Sequence, residues 1–434
     1  MMSLSQIGTA TDALDLHGHA QLEGVTTDSR TTCSRKLFVA LQGPNFDGHD
    51  FLEAAAQADA AAVMVHKPYN GSLPVVRVKN TAEALLDLAK AWRDRYPVPI
   101  IAVTGSAGKT TVKEMLASIL SLAGPGVVTK GNLNNQIGVP LTLTRLTAND
   151  EYAVVEMGMN MRGEISRLAQ ITSPNVAVIT NAGPAHLECL GSVEEVAKAK
   201  AEIFDGLRTD GTAVINADDQ FAAQWRKSAG SRKQITFGVS PESDVCVRLV
   251  EASQSGQQIN VRLENRELNI SLPLAGSHNA INAGAAIAAA RALNTPFEQI
   301  VTGLESVDQI TGRSNRLEMN GITLIDDAYN ANPLSMIAAV DMLVAQDGAR
   351  RVLVLGDMAE LGEAALEAHA ALGRYIADQS ISRVYATGEL MKALVSELGS
   401  QRAIHFDNKR DMLECLSRDL TQGGVVLVKG SRAA

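Results

Sequence analysis

A glycine-rich segment, Thr104-Gly105-Ser106-Ala107-Gly108-Lys109-Thr110-Thr111, joins an apolar run at 100–103 to a helical stretch starting near Val112. Successive backbone N–H groups of such a loop, with the positive end of the following helix, can surround a phosphate. Lys109 would reach the β- and γ-phosphates of a nucleotide, and the Thr110 hydroxyl would hold Mg2+. The common form of this loop is G-x-x-x-x-G-K-[ST]. Here the position five before Gly108 is Val103, so the loop is shorter and points to a subset of nucleotide enzymes. The competing reading, a glycine turn with a chance lysine, fits the strand-loop-helix context poorly. The loop leaves open whether a γ-phosphate would go to water, to a hydroxyl or to a carboxylate.

Other residues could complete such a site. Glu156 ends the apolar run 152–155, where a carboxylate could join a magnesium shell or simply face solvent. His186 follows the run 176–180 after Asn181-Ala182-Gly183-Pro184-Ala185, and is either a ligand or a structural histidine. Lys200 falls on the apolar face made by Val196, Ile203, Phe204 and Leu207. It either snorkels or has a local function: desolvation favours the neutral amine, which could bind a substrate phosphate after recharging or react with carbon dioxide to give a metal-ligating carbamate. Asn279 and Asn282, spaced i, i+3 on an Ala-rich helix, could read a base edge or serve its cap. Arg316 and Asp327 could meet a γ-phosphate and ribose hydroxyls if two domains close, or could be a surface arginine and a solvated strand end.

The elements that must position these groups describe an α/β protein of three domains. A small N-terminal α/β domain is expected over 1–96, with strands at 36–40 and 62–65 around a helix at 51–58. Pro97 and Pro99 mark the first boundary. Over 97–312, short apolar runs (100–103, 154–157, 176–180, 213–216) alternate with helices, as in a parallel sheet covered on both faces. Segment 244–274 alternates apolar with polar residues and reads as a small antiparallel insertion. A second break near Thr311-Gly312-Arg313 opens a Rossmann-like domain over 313–434, with runs at 322–325, 352–355, 384–386 and 425–428. Open sheets bind ligands beyond the carboxyl ends of their strands, where most of the candidate residues fall.

The 434 residues are too many for one ordinary domain. With 39 Lys+Arg against 48 Asp+Glu, the net charge of −9 argues against a nucleic-acid partner. Four cysteines, Cys33, Cys189, Cys246 and Cys415, are scattered without CxxC pairing, as suits a reducing compartment. The first 20 residues lack the features of a secretion signal and no run of 18 apolar residues occurs, so a cytoplasmic protein with no membrane insertion is expected.

Together these segments resemble the Mur ligase family. The likeness covers nearly the whole chain. It is carried by Thr27-Asp28-Ser29-Arg30, Gly43-Pro44-Asn45-Phe46-Asp47-Gly48-His49, the phosphate loop, Gly131-Asn132-Leu133-Asn134-Asn135-Gln136-Ile137-Gly138-Val139-Pro140 and Ser277-His278-Asn279-Ala280-Ile281-Asn282. Two third-domain motifs, Asp326-Asp327-Ala328-Tyr329-Asn330-Ala331-Asn332-Pro333 and Leu355-Gly356-Asp357-Met358-Ala359-Glu360-Leu361-Gly362, look like the branch that adds a dipeptide. The Asp-Asn-Pro-Arg motif of the branch that adds the third residue is missing. Lys429-Gly430-Ser431-Arg432 is similar to a family turn that a helix usually follows, whereas this chain stops at Ala434.

The resemblance implies an ATP- and Mg2+-dependent ligase that couples D-alanyl-D-alanine to UDP-N-acetylmuramoyl-tripeptide, and a monomer is expected. It implies an N-terminal domain for the UDP-sugar, a central ATPase domain and a C-terminal domain for the dipeptide. Residue by residue, Gly105, Ser106, Ala107, Gly108, Lys109, Thr110 and Thr111 would hold phosphates. Thr110, Glu156, His186 and Lys200 would be metal-side groups, with Lys109, His186, Lys200 and Arg316 catalytic. Asn279 and Asn282 would lie by adenine, and Arg316 and Asp327 would make cross-domain nucleotide contacts. Thr27, Asp28, Ser29 and Arg30 would lie near uridine. Asn134, Asn135 and Gln136 would meet the muramoyl-peptide, and Tyr329, Asn330 and Asn332 the incoming dipeptide. Folylpolyglutamate synthesis shares the chemistry but leaves the first domain without a role; a nucleotide-operated switch is the reading from another class.

Overall fold

The computed structural model describes all of 1–434 except residues 254, 255, 320, 347–349, 421–423 and 433. Three large sheets follow one another along the chain. The first is five-stranded, with Lys36–Val39 and Ala62–Val65 at its centre, flanked by Gly24–Thr26 on one side and Val75–Arg77 on the other. These four strands are mutually parallel and Asp15–His17 closes one edge antiparallel, so residues 27–30 follow a carboxyl end. The expected helix at 51–58 begins as a 3-10 turn, Gly48–Phe51, before the α-helix Leu52–Gln57.

The helix Thr81–Arg95 links this sheet to the next. Its start is fixed by Asn80, whose Oδ1 accepts from the N–H groups of Ala82 (2.8 Å) and Glu83 (3.3 Å). Leu85, Leu88, Ala89 and Trp92 form its buried stripe, and Trp92 Nε1 donates to Leu146 O at 2.9 Å. One apolar core therefore runs from Leu4 and Leu37 through Trp92 to Ile100, Ala153 and Trp225.

The central sheet has nine strands. Ile100–Thr104, Tyr152–Glu156, Val176–Ile179 and Thr212–Asn216 are buried along their whole length, which explains why they read as continuous apolar runs. Gly126–Val128 and Lys233–Gly238 are also strands, although neither is an uninterrupted apolar run of comparable length. Ile100–Thr104 lies between Tyr152–Glu156 and Val176–Ile179, all parallel, so the chain leaves it to one side and later returns on the other. That reversal opens a crevice at its carboxyl end.

The expected antiparallel meander is present as Val245–Ala252, Gln257–Leu263 and Arg266–Leu272. It prolongs the same sheet, because Phe237 and Gly238 pair in parallel with Val245 and Cys246. The helix Ser277–Ala292 covers this half of the sheet with Ala283, Ala285, Ala286, Ile287, Ala288 and Ala289, all fully buried.

The third sheet is ordered Asn315–Met319, Ile322–Asp326, Gly424–Lys429, Arg351–Gly356, Arg383–Thr387, Ala403–Phe406. The last strand of the chain thus lies inside it, and the first is an antiparallel hairpin partner at its edge. This lobe has cores of its own. Among the described residues no helix is long and apolar enough to cross a membrane.

Candidate active site

The loop 105–108 leaves the switch-point strand with Gly105 at φ +155 and turns into the helix Lys109–Ser121 through Gly108 at φ +82. That left-handed value favours glycine. The segment after Val176–Ile179 braces the loop. Ser106 N–H donates to Asn181 O (3.0 Å), Ala107 N–H to Asn181 Oδ1 (2.9 Å), and Thr180 Oγ1 to Ala107 O (2.6 Å). The N–H groups of Gly108, Lys109, Thr110 and Thr111 meet no acceptor among the described residues. They form an unpaired donor cluster at the positive end of a helix.

Beside it, Glu156 is 2% exposed and accepts from Thr110 Oγ1 at 2.9 Å and from Asn134 Nδ2 at 2.7 Å. Lys109 Nζ donates to Gly105 O at 2.7 Å. Burial pushes its ammonium below the ordinary range while Glu156 pulls the other way. Lys200, 2% exposed, is pushed well below its usual value, first by burial and then by Lys109. The lysine is thus buried in the fold, without the snorkelled exposure that was its alternative.

The third lobe supplies the opposite wall. Asn332 caps the helix Pro333–Val344 with Oδ1 and donates from Nδ2 to Ser106 O at 3.2 Å. His186, at φ +57, pairs through Nδ1 with Glu360 Oε2 at 2.7 Å. The His186 hydrogen bond holds the Glu360 carboxyl below the usual range, with Lys109 adding to it. Asp327 accepts from Lys429 Nζ at 2.7 Å and from Ser314 N–H at 3.1 Å. Lys429 also donates to Asn330 O at 2.9 Å, and burial lowers it against the pull of Asp327.

The arginine that crosses to the loop is Arg313, which donates to Thr110 Oγ1 at 3.1 Å and lies 4.5 Å over the Tyr329 ring. Arg316 does not reach it. The hairpin sets Arg316 opposite Ile325, and its guanidinium binds Glu318 at 2.7 Å, Gln346 Oε1 at 3.1 Å and Thr323 Oγ1 at 3.3 Å.

A cleft of about 500 Å3 lies between the lobes, lined by the loop, Asn279, Asn282, Asp327 and Asn332 among others. Asn282 donates to Asn279 Oδ1 at 3.2 Å, and its own Oδ1 sits where a side chain on Gly108 would fall. Asn279 Nδ2 donates to Ala275 O at 2.7 Å. Sequence reasoning overlooked Thr180, Asn181, His278, Arg313, Glu360 and Lys429. The strand-end rule could have found the first two, and Glu360 lies within a motif already noted.

Asn135 and Gln136 face elsewhere: Asn135 Oδ1 accepts from Ile137 and Gly138 N–H within its own turn, and Gln136 Nε2 donates to Glu164 at 3.4 Å. Thr27, Asp28, Ser29 and Arg30 follow the edge strand Gly24–Thr26 of the first sheet, away from the cleft lining, and Arg30 lowers the Asp28 carboxyl to about 2. Among the described residues no three His, Cys, Asp or Glu side chains converge on a metal position. Magnesium needs less from a protein, since it keeps waters and substrate phosphates and takes one or two oxygen ligands. The adjacent Thr110 hydroxyl and Glu156 carboxylate fit that requirement.

A phosphate loop at a sheet's switch point, faced across one cleft by an arginine, an asparagine and a glutamate from another lobe, defines a multidomain nucleotide-binding protein whose site is built from more than one lobe. The chain belongs to the Mur ligase family. Residues 21–93 match the Mur ligase family catalytic domain, 103–290 the Mur ligase middle domain, and 312–432 the Mur ligase glutamate ligase domain. The chain is 40% identical over 417 residues to the UDP-N-acetylmuramoyl-tripeptide--D-alanyl-D-alanine ligase of Escherichia coli strain K12, covering 95% of this chain and 92% of that one. Its fold is similar to that of MurF from Acinetobacter baumannii (TM-score 0.93, 35% identity, 99% and 96% coverage). It is also similar to MurF ligase from Thermotoga maritima in complex with ADP (TM-score 0.84, 28% identity, 94% of each chain).

Proposed function

We propose that this chain is an ATP-dependent ligase that joins D-alanyl-D-alanine to UDP-N-acetylmuramoyl-tripeptide, releasing ADP and phosphate. The unpaired N–H cluster of the loop, next to Lys109 and opposite the third lobe, is the observation that carries the nucleotide chemistry. The substrates follow from the relatives of nearly equal length. Domains over 1–96, 97–312 and 313–434 would hold the UDP-sugar, ATP and dipeptide respectively, and each span contains one of the large sheets.

In this reading the tripeptide carboxylate attacks the γ-phosphorus in line, the bond to the β-phosphate oxygen breaks, and an acyl phosphate forms. The dipeptide amine then attacks the acyl carbon and loses a proton as phosphate departs. The loop N–H groups and Lys109 offset the charge that moves onto ADP, positioning and electrostatics being the main resources in phosphoryl transfer. Arg313 brings a fixed positive charge from the third lobe to the same place. Thr110 and Glu156 would hold a magnesium ion, with His186 and Lys200 on the same side; such an ion supplies charge neutralisation at the phosphate oxygens. Asn279 and Asn282 would face the base and Asp327 the ribose, while Asn134 would meet the muramoyl-peptide and Tyr329, Asn330 and Asn332 the incoming dipeptide. Closing the cleft keeps water from the acyl phosphate. A cytoplasmic protein fits this reading, because ATP and nucleotide-linked precursors are its substrates, and a monomer is proposed with it.

The decisive experiment incubates the protein with ATP, magnesium, D-alanyl-D-alanine and each UDP-linked tripeptide, following phosphate release and product mass. Phosphate release only with both substrates, with a product heavier by the dipeptide less water, is expected. Turnover with ATP alone would mark a switch instead.

A further inference from the structure

We propose that Thr180 and Asn181 are positioning residues that aim the peptide groups of the phosphate loop and so set how tightly the terminal phosphates of a nucleotide are held. The inference rests on the nucleotide-binding reading above and adds two residues to it. Ala107 is gripped on both sides of its backbone. Its carbonyl accepts from Thr180 Oγ1 at 2.6 Å and from Asn181 Nδ2 at 3.1 Å, while its N–H donates to Asn181 Oδ1 at 2.9 Å.

In a trans peptide the C=O and the next N–H point in opposite directions. Fastening Ala107 O to the 180–181 segment therefore turns Gly108 N–H the other way, and that N–H lacks an acceptor among the described residues. Released, the carbonyl could rotate toward the cleft and present a negative end to phosphate. The loop cannot prevent this by itself, because Gly105 and Gly108 leave its torsions soft.

The clip has little slack. A side-chain carbon on Gly105 would collide with Thr180 Oγ1. Behind it, Asn216 Nδ2 donates to Thr180 O at 2.8 Å and Asp219 Oδ2 accepts from Ala182 N–H at 2.9 Å, so the strand ends beneath hold the segment in turn. Thr180 Oγ1 and both polar atoms of the Asn181 amide are engaged by the loop, which makes these residues aligners of the donors rather than donors themselves.

The test compares Thr180→Val, Thr180→Ser and Asn181→Ala with the parent chain by calorimetric titration of ADP and of AMP in the presence of magnesium. Removing the hydroxyl should weaken ADP about tenfold, as befits a lost buried hydrogen bond that leaves the carbonyl held by Asn181 alone. Asn181→Ala should weaken it further, and AMP should be affected less than ADP in both. Serine, which keeps the hydroxyl, should restore ADP affinity to within about twofold of the parent. A general loss of packing would lower both ligands alike. Equal ADP affinity in the valine variant, equal losses in valine and serine, or the same factor for ADP and AMP would each overturn the proposal. Should Asn181→Ala fail to fold, the valine and serine pair decides. A parent chain that does not bind ADP would instead remove the nucleotide reading itself.

Discussion

Arg313 and Arg316 stand three residues apart and meet different surroundings. Arg313 precedes the strand Asn315–Met319, stacks on Tyr329 and reaches Thr110. Arg316 is carried by that strand to Glu318, Thr323 and Gln346. Arg313→Ala should therefore lower kcat about a hundredfold while moving ADP affinity much less, the usual result of deleting a charge that acts on a developing negative centre. Arg316→Ala should act first on stability, seen as an earlier denaturant midpoint; a larger kcat loss for Arg316 than for Arg313 would reverse this assignment.

His278 gives a second residue-scale expectation. Its pKa is lowered, first by burial, with Asp327 opposing and Lys429 assisting the shift. The unfolded chain thus takes up a proton below pH 6.5 that the folded chain refuses, so stability is lost as pH falls from 6.5 toward the folded value. His278→Gln should flatten that limb, whose slope cannot exceed about 1.4 kcal/mol per pH unit for one proton. Parallel denaturation curves of parent and variant between neutral and mildly acid pH would refute it.

Among the elements, Ser277–Ala292 shows how small side chains position a site. Its alanines let the helix lie close against the sheet and the loop helix, which is what brings Asn282 up to Gly108. Ala286→Leu should cost about 1–3 kcal/mol by overpacking, measured in urea, with ADP affinity reduced as the helix shifts. An unchanged midpoint would mean the core has room that the buried alanines do not suggest. The phosphate loop itself was legible because its glycines, lysine and threonine are adjacent in sequence. Strands such as Ile100–Thr104 were legible because burial on both faces demands unbroken apolar runs. Gly126–Val128 and Asn315–Met319 were not, the first being short and the second half-exposed at an edge. The pairing of that edge strand is what carries Arg316 to Glu318 rather than to the loop.

For the molecule as a whole, the first two sheets share one apolar core while the third has its own. The third lobe meets the loop region through polar ties, Asn332 to Ser106, Arg313 to Thr110 and Glu360 to His186, with Leu334 packed by Gly183. Polar contacts beside an open cleft exchange readily with solvent, so this is where rigid-body movement is expected. ADP with magnesium should slow amide hydrogen exchange at 105–111, 306–313 and 330–335 together, leaving the strands of the first sheet unaltered. Slowing confined to 105–111 would mean that the nucleotide binds without recruiting the third lobe.

The linear order of residues was enough to determine a three-part α/β chain, a phosphate loop, and a set of strand-end acids, amides and histidines from which a ligase site could be built. Adjacency in sequence and the period of burial are local properties, readable wherever neighbouring residues make the feature. Which arginine reaches the phosphate loop, which carboxylate holds His186, and what grips Ala107 were decided only in three dimensions. Those pairings join residues tens to hundreds of positions apart, and they depend on strand order and side-chain direction, which no local pattern encodes.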